Sequence, residues 1–412
     1  MPADGRFDFD LIVAGGGMIG TSLALAIEPL GLRVAVVEPV PREREQQPSF
    51  DDRSTALSRS TQRMYEAMGL WPRIVEAATP ILSIHVSEKG RFGFSHLHAG
   101  EQGVESLGYV VINRVLGEVL HDSLADSATT TVLSPARIAG VATGDAAALV
   151  SVMDGGREWR LRCRLLVAAD GANSATREML GIGAARVDYG QHAVIGNLQP
   201  EIPPQNRAWE RFTVDGAIAL LPLGDDRAAF IWILPSALAA EHAALSDAAF
   251  IDRLQSAFGT RLGAFSRVGG RAVYPLALSK ARALVAPRGV LIGNAAHGLH
   301  PVAAQGFNLG MRDVAALCDC LLDALRSGGG DIGSATVLNA YAAWRRPDQL
   351  KLVRFTDGLV RLFGDRRRAV GVLRNLGMLG FDMVPGVRKL FARHSMGLAG
   401  PLPRLSRGVP LK

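Results

Sequence analysis

One stretch late in the chain contains several side chains that could bind a ligand or transfer protons. Asn294, His297 and His300 stand close together there, and an amide beside two imidazoles could bind a sugar-like chain or move protons. Both histidines are therefore candidate catalytic residues, and the open alternative is that they are packed, hydrogen-bonded residues. Residues 306–309 then begin a helical pattern, whose first N–H groups would form a cluster suited to negative charge.

A glycine-rich turn near the N-terminus predicts a phosphate site. Apolar runs at residues 11–14 and 34–37 flank it, with a helical pattern between the turn and the second run. This order of strand, turn, helix and strand is typical of dinucleotide binding, because the helix N-terminus offers open N–H groups to the pyrophosphate. Glu38 follows the second strand and could accept hydrogen bonds from ribose hydroxyls, which favours FAD or NAD over NADP. The turn contains Gly15, Gly17, Met18, Ile19 and Gly20.

A third stretch ends in an acid–glycine pair. The apolar run at residues 164–169 leads into Asp170 and Gly171. We predict a strand that delivers this pair to the carboxyl edge of a parallel sheet, where such folds bind ligands. The glycine turn, this pair and residues 293–310 are therefore expected to converge on a single cofactor. Residues 328–333 repeat the glycine spacing but follow a helical pattern, so we interpret them as a helix end.

Composition limits the classes of protein that fit. The chain has 412 residues, of which 48% are hydrophobic and 20% charged, as expected of two or three globular domains. No membrane-spanning run or cleaved signal is visible, so cytoplasmic residence is expected, with the inner face of the plasma membrane left open as a peripheral site. Cys318 and Cys320 lie two apart on a helical pattern and would point in different directions, so no metal site is predicted.

The order of apolar patterns predicts an α/β fold built from separated stretches. Helices are expected over residues 54–68 and 110–124, and mainly β structure over 186–275 with a helical interlude near 246–258. A Rossmann-like FAD-binding domain is expected to comprise residues 1–78, 109–183 and 276–344, a substrate domain with β-sheet residues 79–108 and 184–275, and a C-terminal helical region residues 345–412.

The C-terminal region is basic and amphipathic. Arg and Lys are interleaved with apolar residues from 345 to 393, and helical spacing would place the apolar residues on one face. Two interpretations stay open: a helix packed on the body with a solvated basic face, or contact with an anionic membrane surface or a partner protein. No nucleic-acid module accompanies the charge.

Over nearly the whole chain, the sequence resembles the class A flavoprotein aromatic monooxygenases and, within them, the ubiquinone-biosynthesis hydroxylases. Much of the wider superfamily has Asp at the position of Asn294, whereas these hydroxylases also carry Asn, which narrows the resemblance. It implies an FAD-binding domain of the para-hydroxybenzoate hydroxylase type. The motifs are FDDRSTALS (50–58), HVSEKGRFGF (85–94), ERFTVDGAIALLPL (210–223), YPLAL (274–278), GNAAHGLHPVAAQGFNLGMRDV (293–314) and TDGLVRLF (356–363).

The resemblance also implies a role for each matching residue. Two of these roles have open alternatives, because Arg53 could be a surface charge at a helix start and Arg114 a salt-bridge partner. The implied FAD contacts are Glu38 with the adenosine ribose, Arg53 with the pyrophosphate region, Arg114 with the adenine side, Asp170 and Asn294 with the linking chain, and Pro301, Gly306, Phe307 and Asn308 with the isoalloxazine. Gly171 and Gln305 are expected to be further cofactor-binding residues.

The implied reaction is hydroxylation of a polyprenylated methoxyphenol. NAD(P)H would reduce FAD, and a flavin C4a-hydroperoxide formed with O₂ would transfer its distal OH to the electron-rich ring. Water must be excluded, so an apolar wall is expected, and the segments around Phe212, Leu220, Leu221, Pro222 and Trp232 are predicted to form it. Trp232 has ordinary core packing as its open alternative, and Pro301, His297 and His300 would lie beside the flavin.

Three rival functions stay open at this stage. A sister hydroxylase of the ubiquinone pathway would act at another ring carbon. A flavin-dependent halogenase is suggested by residues 230–235, although Phe230 stands where that group has a first Trp. A FAD-bound scaffold would instead work by assembling with other ubiquinone-biosynthesis proteins.

Overall fold

The structure is a computed structural model that describes residues 6–41, 53–298, 305–328, 330–364 and 367–412. Within these ranges the strands form sheets of eight, nine and three strands. The strands are β1 (Phe9–Ala14), β2 (Val34–Val37), β3 (Ser54–Ser58), β4 (Thr79–Ile81), β5 (Ser83–Glu88), β6 (Phe94–His98), β7 (Gly108–Ile112), β8 (Thr130–Leu133), β9 (Arg137–Thr143), β10 (Ala148–Asp154), β11 (Arg157–Ala168), β12 (Ala184–Pro200), β13 (Arg207–Phe212), β14 (Ala217–Pro222), β15 (Ala228–Pro235), β16 (Phe265–Val268), β17 (Ala272–Ala281), β18 (Val285–Ala286), β19 (Gly289–Leu291) and β20 (His297–Gly298).

Helices cover the sheets and form the C-terminal region. They are α1 (Met18–Ile27), α2 (Arg59–Ala67), α3 (Trp71–Val75), α4 (Asn113–Ala125), α5 (Ala175–Met179), α6 (Ser236–Ala243), α7 (Asp247–Phe258), α8 (Gly306–Arg326), α9 (Ala335–Gly364), α10 (Arg368–Met383) and α11 (Pro385–Ser395).

The eight-stranded sheet confirms the predicted Rossmann-like fold. Its main path runs β18-β19-β11-β1-β2-β8, and β1 pairs in parallel with β2 on one side and with β11 on the other. The pairing of Ala14 with both Val37 and Ala168 aligns the ends of these three strands. Consequently the glycine turn, Glu38 and Asp170, which follow those ends, meet at one edge of the sheet.

The nine-stranded sheet is the central element of the rest of the molecule, with helices on both of its faces. Its main path runs β20-β17-β12-β15-β14-β13-β5-β6, so residues before β7 join residues after α5 in one sheet. One face packs against α6 and α7, with Trp232, Phe250 and Phe258 in that core. The other face is turned toward α10 and α11, where Ile231 packs near Phe381 and Phe391.

Two predicted helix boundaries were wrong. The helix expected over 54–68 begins only at Arg59, because residues 54–58 pair with β7, and the side chain of Ser58 then caps α2 by accepting from Thr61 N. The helix expected over 110–124 begins at Asn113, because Val110–Ile112 complete β7. In both places a β-rich run precedes the cap, and the helical period masked it.

Candidate functional site

The glycine turn is shaped by close approaches of backbone to backbone. Gly15 has φ of +103°, and a Cβ there would lie 2.7 Å from the carbonyl oxygen of Ala169, so the turn packs against the end of β11. A side chain at Gly20 would overlap the carbonyl oxygen of Gly15. Gly17 is the N-cap of α1 and, having no side chain, leaves the first N–H groups of the helix accessible to a phosphate.

Glu38 is held at this turn. Its Oε2 accepts a hydrogen bond from Gly16 N at 2.7 Å, and its Oε1 accepts one from Val40 N at 2.9 Å. The carboxylate therefore lies beside the N-terminus of α1, in the position that the sequence predicted for a ribose contact.

Asp170 and Gly171 lie next to the same turn. A Cβ on Gly15 would be 3.0 Å from Asp170 Cα, while the space beside Gly171 is open to 4 Å. The Asp170 carboxylate accepts hydrogen bonds from Ser174 Oγ and, at 3.0 Å, from Thr176 N. It thus orients the start of α5, and its contact with the linking chain of FAD stays a prediction.

The late loop joins this edge through Ile19. A Cβ on Gly293 would lie 3.2 Å from Ile19 Cγ2, and one on Gly310 would lie 2.9 Å from Ile19 Cδ1. Asn294 follows in a 3-10 turn with its side chain exposed. The three stretches that the sequence predicted to converge are therefore neighbours, with Ile19 of α1 between the loop and α8.

A buried aspartate that sequence reasoning missed fixes this loop. Asp313 Oδ2 lies 2.6 Å from His297 Nε2 and accepts from Gly293 N at 3.0 Å. Asp313 Oδ1 accepts from Arg345 Nε at 2.7 Å and from Gln349 Nε2 at 2.9 Å. The carboxylate thereby connects the loop, α8 and α9. The available signal was an acid within an otherwise apolar helical pattern, since Met311, Val314 and Ala315 are also fully buried.

The electrostatics of this cluster favour an ionised carboxylate. Burial raises the pKa of Asp313, but the His297 imidazole and the Arg345 guanidinium, with the hydrogen bonds they donate, hold it well below its ordinary value. His297 is itself buried. Among the proposed roles of His297, that of a packed, hydrogen-bonded residue fits this placement, because its ring orients the loop from within the protein.

Hydrogen bonds to three other elements hold the first residues of α8 in place. Asn308 is buried; its Oδ1 accepts from Ser58 N and Thr61 Oγ1, both at 2.8 Å, and its Nδ2 donates to Ala56 O at 2.8 Å. Gln305 Nε2 donates to Ser395 O at 3.4 Å, while Gly306 and Phe307 are half-buried. The N-terminus of α8 is thus tied to β3, α2 and α11. His300 and Pro301 lie outside the described residues.

The two predicted arginines have contacts of other kinds. The Arg53 guanidinium lies 4.6 Å from the centre of the Tyr274 ring. Arg114 Nη1 lies 3.1 Å from Glu118 Oε1, one turn further along α4, and both side chains are half exposed. For Arg114 this geometry matches the salt-bridge alternative.

An apolar cavity of about 160 Å³ opens beside the start of α8. It lies between β3, the nine-stranded sheet and α11. Its lining includes Ala56, Leu57, Ile81, Leu97, Leu107, Ala219, Leu221, Ile231, Ile233, Gln305, Asn308 and Met396. A space with such walls suits an aromatic ring and excludes water.

The predicted wall residues lie on different faces of the nine-stranded sheet. Leu220 and Trp232 pack in the core on the opposite face of the sheet, where the Trp232 ring lies 4.9 Å from the His242 ring. Successive strand residues face opposite sides, so Leu221, which the sequence also predicted, and Ile231 line the first cavity. The wall prediction was wrong for Leu220, and for Trp232 the structure matches the alternative of core packing. Strand alternation gives Pro222 the same face as Leu220.

Phe212 lies instead at a second, larger cavity of about 470 Å³ under the C-terminal helices. Its ring stacks on Phe363 of α9 with 3.4 Å between ring centres. Other lining residues are Phe355, Leu359, Leu362, Val370, Leu373, Met378 and Phe381, and the residues that line both cavities are Ile84, Val86, Leu97, Glu210 and Phe391. The two cavities therefore adjoin along the sheet.

Comparison with known proteins accords with this geometry. The profile of the FAD binding domain family matches residues 8–356. The chain is 36% identical over 405 residues to ubiquinone hydroxylase UbiL of Rhodospirillum rubrum, covering 98% of this chain and 93% of that protein. It is 31% identical over 394 residues to 3-demethoxyubiquinol 3-hydroxylase of Escherichia coli, covering 94% and 98%. The crystal structure of p-nitrophenol 4-monooxygenase PnpA from Pseudomonas putida is similar, with a TM-score of 0.78 and 18% identity over 95% of this chain and 98% of that one.

Fold, site and sequence together define an FAD-dependent aromatic monooxygenase. Within that class, the chain belongs to the family of FAD-dependent hydroxylases of ubiquinone biosynthesis. FAD is the cofactor, and NAD(P)H is the reductant typical of the family. Among the described residues, none of the helices combines the length and the apolar character needed to cross a membrane.

Proposed function

We propose that this enzyme hydroxylates a polyprenylated methoxyphenol, as does UbiH, the 2-polyprenyl-6-methoxyphenol hydroxylase that its motifs resemble. The observation that carries the proposal is the pair of adjoining apolar cavities. One, of about 160 Å³, lies at the start of α8, and the other, of about 470 Å³, extends from it under the C-terminal helices. The first would hold the ring and the second its lipid tail.

The residues at the sheet edge fit FAD. Reduced by NAD(P)H and supplied with O₂, FAD provides the oxygen-transfer chemistry when bound. The N–H groups at the start of α1 would bind the pyrophosphate, Glu38 the adenosine ribose, and Asp170 and Asn294 the linking chain. The N-terminus of α8 would stabilise negative charge on the reduced isoalloxazine. The Asp313 cluster keeps the 293–298 loop in register with that helix.

The cavity walls would position the ring and keep water away. Leu221, Ile231 and Ile233 present aliphatic side chains to the first cavity, which excludes water from the reacting atoms. Glu210 lines both cavities and is therefore placed to accept a hydrogen bond from the phenol hydroxyl. Such a bond would orient the ring and raise its electron density.

The division of the chain into domains is part of the same proposal. The FAD-binding domain would comprise residues 1–78, 109–183 and 276–344, and the substrate domain residues 79–108 and 184–275. The C-terminal region, 345–412, would complete the substrate site, since Phe355, Phe363 and Phe391 line the second cavity.

Mass spectrometry of quinone precursors in a strain deleted for this gene tests the proposed step. We expect the polyprenyl methoxyphenol to accumulate and to disappear when the gene is restored. Accumulation of a precursor already hydroxylated at that carbon would assign the enzyme to another ring position. Purified protein supplies the remaining arms: a brominated phenol formed with bromide would indicate a halogenase, and NAD(P)H oxidation that is independent of any phenol, without product, would favour a scaffold within a biosynthetic complex.

A further inference from the structure

We propose that the outer surface of α10 and α11 docks on an anionic lipid bilayer and that the second cavity opens into it. The tail of the substrate would then pass from the bilayer into the protein without crossing water. Binding of the bilayer is inferred from the exposed surface alone. The opening of the second cavity into the bilayer, which we call the portal, rests on the proposed function.

The first observation is a concentration of exposed aliphatic side chains on these two helices and at the residue between them. Leu373 is 68% exposed, Leu376 52%, Met383 80% and Leu390 60%. Val384 and Val387 are also exposed. Folded proteins seldom leave several large aliphatic side chains in water on neighbouring turns, and such a patch marks a surface that another apolar phase covers.

The second observation is the charge of the segment that carries the patch. Residues 345–393 contain twelve Lys or Arg and four Asp, although Arg345 and Arg374 are buried in ion pairs with Asp313 and Glu88. Lys389 and Arg393 are exposed on α11, the helix that also carries Leu390. Apolar residues that enter the interface, flanked by cations that contact lipid phosphates, are typical of helices lying on anionic membranes.

The third observation links this surface with the interior. Leu362 and Leu373 line the second cavity and are themselves exposed, so they stand at its outer mouth. From there the lining continues through Phe381 to Phe391, which also lines the first cavity. A continuous apolar lining of aliphatic and aromatic side chains therefore leads from the exposed surface to the start of α8.

A bilayer suits this surface better than a protein partner. The patch is composed of Leu, Val and Met with a basic surround, whereas protein interfaces concentrate their binding energy in Trp, Tyr and paired charges. A polyprenyl phenol also resides in the bilayer, because its tail is insoluble in water. A portal facing the lipid would spare the tail that exposure.

Vesicle sedimentation with the full-length holoenzyme tests the docking. The probe is a vesicle of phosphatidylglycerol and phosphatidylcholine, and the variant is Leu376→Glu/Met383→Glu/Leu390→Glu. These three side chains are exposed and lie outside the cavity lining, so the fold and FAD content should be retained. We expect the bound fraction to fall at least about tenfold. Val214→Glu, at an equally exposed residue (69%) of the β13–β14 connection, is the matched control and should bind like the original protein.

Two results would overturn the docking. Equal sedimentation of the triple variant and the control would return the surface to a protein partner. Binding to phosphatidylcholine vesicles as strong as to anionic ones would refute the proposed recognition of anionic lipid.

The portal is tested by presenting the phenol in two ways. The triple variant should hydroxylate a water-soluble phenol with a short prenyl group at the original rate, and should lose most turnover of a long-tailed phenol supplied in anionic vesicles. Full turnover of both would refute the portal while the proposed function stands. No hydroxylation of either phenol by the original protein would refute the proposed function while leaving vesicle binding as an independent result.

Discussion

The loop at residues 293–298 and the C-terminal wall of the cavities present different chemistry to the same site. The loop depends on one buried carboxylate, Asp313 of α8, which accepts directional bonds from the loop and from α9. The C-terminal wall presents aliphatic and aromatic side chains such as Leu359, Phe363 and Phe381 to the second cavity, while bonds from Arg374 and Asn375 to Glu88 anchor α10 to β5. The difference teaches that FAD requires fixed geometry, whereas a flexible lipid tail requires only a dry, apolar volume.

The largest expected effect lies on the FAD side, at Gly17. Valine tolerates the backbone angles of Gly17, φ −68° and ψ 176°, but the side chain of Gly17→Val would lie where the pyrophosphate is expected. We expect folded, colourless protein, measured by the flavin absorbance of the purified variant. A full flavin spectrum would contradict the assignment of this turn to FAD.

Gly20→Val serves as the contrasting variant, because its side chain would overlap the Gly15 carbonyl and should impair folding itself. Circular dichroism separates the two outcomes. If Gly17→Val also fails to fold, its loss of colour says nothing specific about phosphate binding, and Gly17→Ala then becomes the deciding variant.

Asp313→Asn tests whether directional bonds hold the loop. It leaves the Arg345 guanidinium buried beside His297 without a full counter-charge, which should cost about 3–5 kcal/mol of unfolding free energy. Asp348→Asn is the comparison, because Asp348 pairs with Arg345 at 2.6 Å and with Arg312 at 3.2 Å but is itself 32% exposed, and its cost should be smaller than that of Asp313→Asn. Urea denaturation measures both, and equal costs would contradict the special place of Asp313.

The same residue predicts a pH dependence. Its pKa is depressed in the folded state, so its stabilisation is complete above the ordinary carboxyl value of about 4 and is lost as the pH falls further. Asp313→Asn should therefore flatten the acid limb of the stability curve below about pH 4. An unchanged acid limb would show that other carboxylates dominate it.

The sequence predicts the residues at the cofactor edge of the sheet better than it predicts the Asp313 cluster or the face of the sheet that lines the cavity. The glycine turn, Glu38 and Asp170 each stand where a local pattern changes from strand to turn, so residue type and spacing place them at the sheet edge. Asp313 could not be found this way, since its partners Arg345 and Gln349 come from another helix. The cavity face was missed for Leu220 and Trp232 because every residue of those strands is apolar, and alternation then carries no phase.

A moderate effect is expected on the apolar side, at Ala219. This residue faces the first cavity, and Ala219→Leu adds three carbon atoms to a space of about 160 Å³. We expect KM for the phenol to rise about tenfold with full FAD content, because a ring pocket discriminates modestly against lost volume. Steady-state kinetics with a soluble prenyl phenol measure this. Loss of FAD instead would show that this wall belongs to the cofactor site.

Glu210→Gln tests whether a hydrogen bond orients the phenol in the first cavity. The amide retains the shape and an accepting oxygen but loses the negative charge that would strengthen the bond from the phenol hydroxyl. A fall in kcat of about tenfold or more, with FAD content unchanged, is expected from the loss of one such group. An unaltered kcat would leave orientation of the ring to apolar packing alone.

The smallest effect is expected at Arg114, for which two roles stay open. The resemblance implies an adenine contact, whereas the structure pairs Arg114 with Glu118 on the exposed face of α4. An exposed pair of this spacing contributes only about 0.3–0.5 kcal/mol. If that is its whole role, Arg114→Gln should retain full flavin absorbance and lose less than about 0.5 kcal/mol of stability, and Glu118→Gln should match it. A weaker affinity for FAD in Arg114→Gln alone would show that the guanidinium leaves Glu118 and binds the nucleotide. Arg114 would then be a cofactor contact beyond the edge of the sheet.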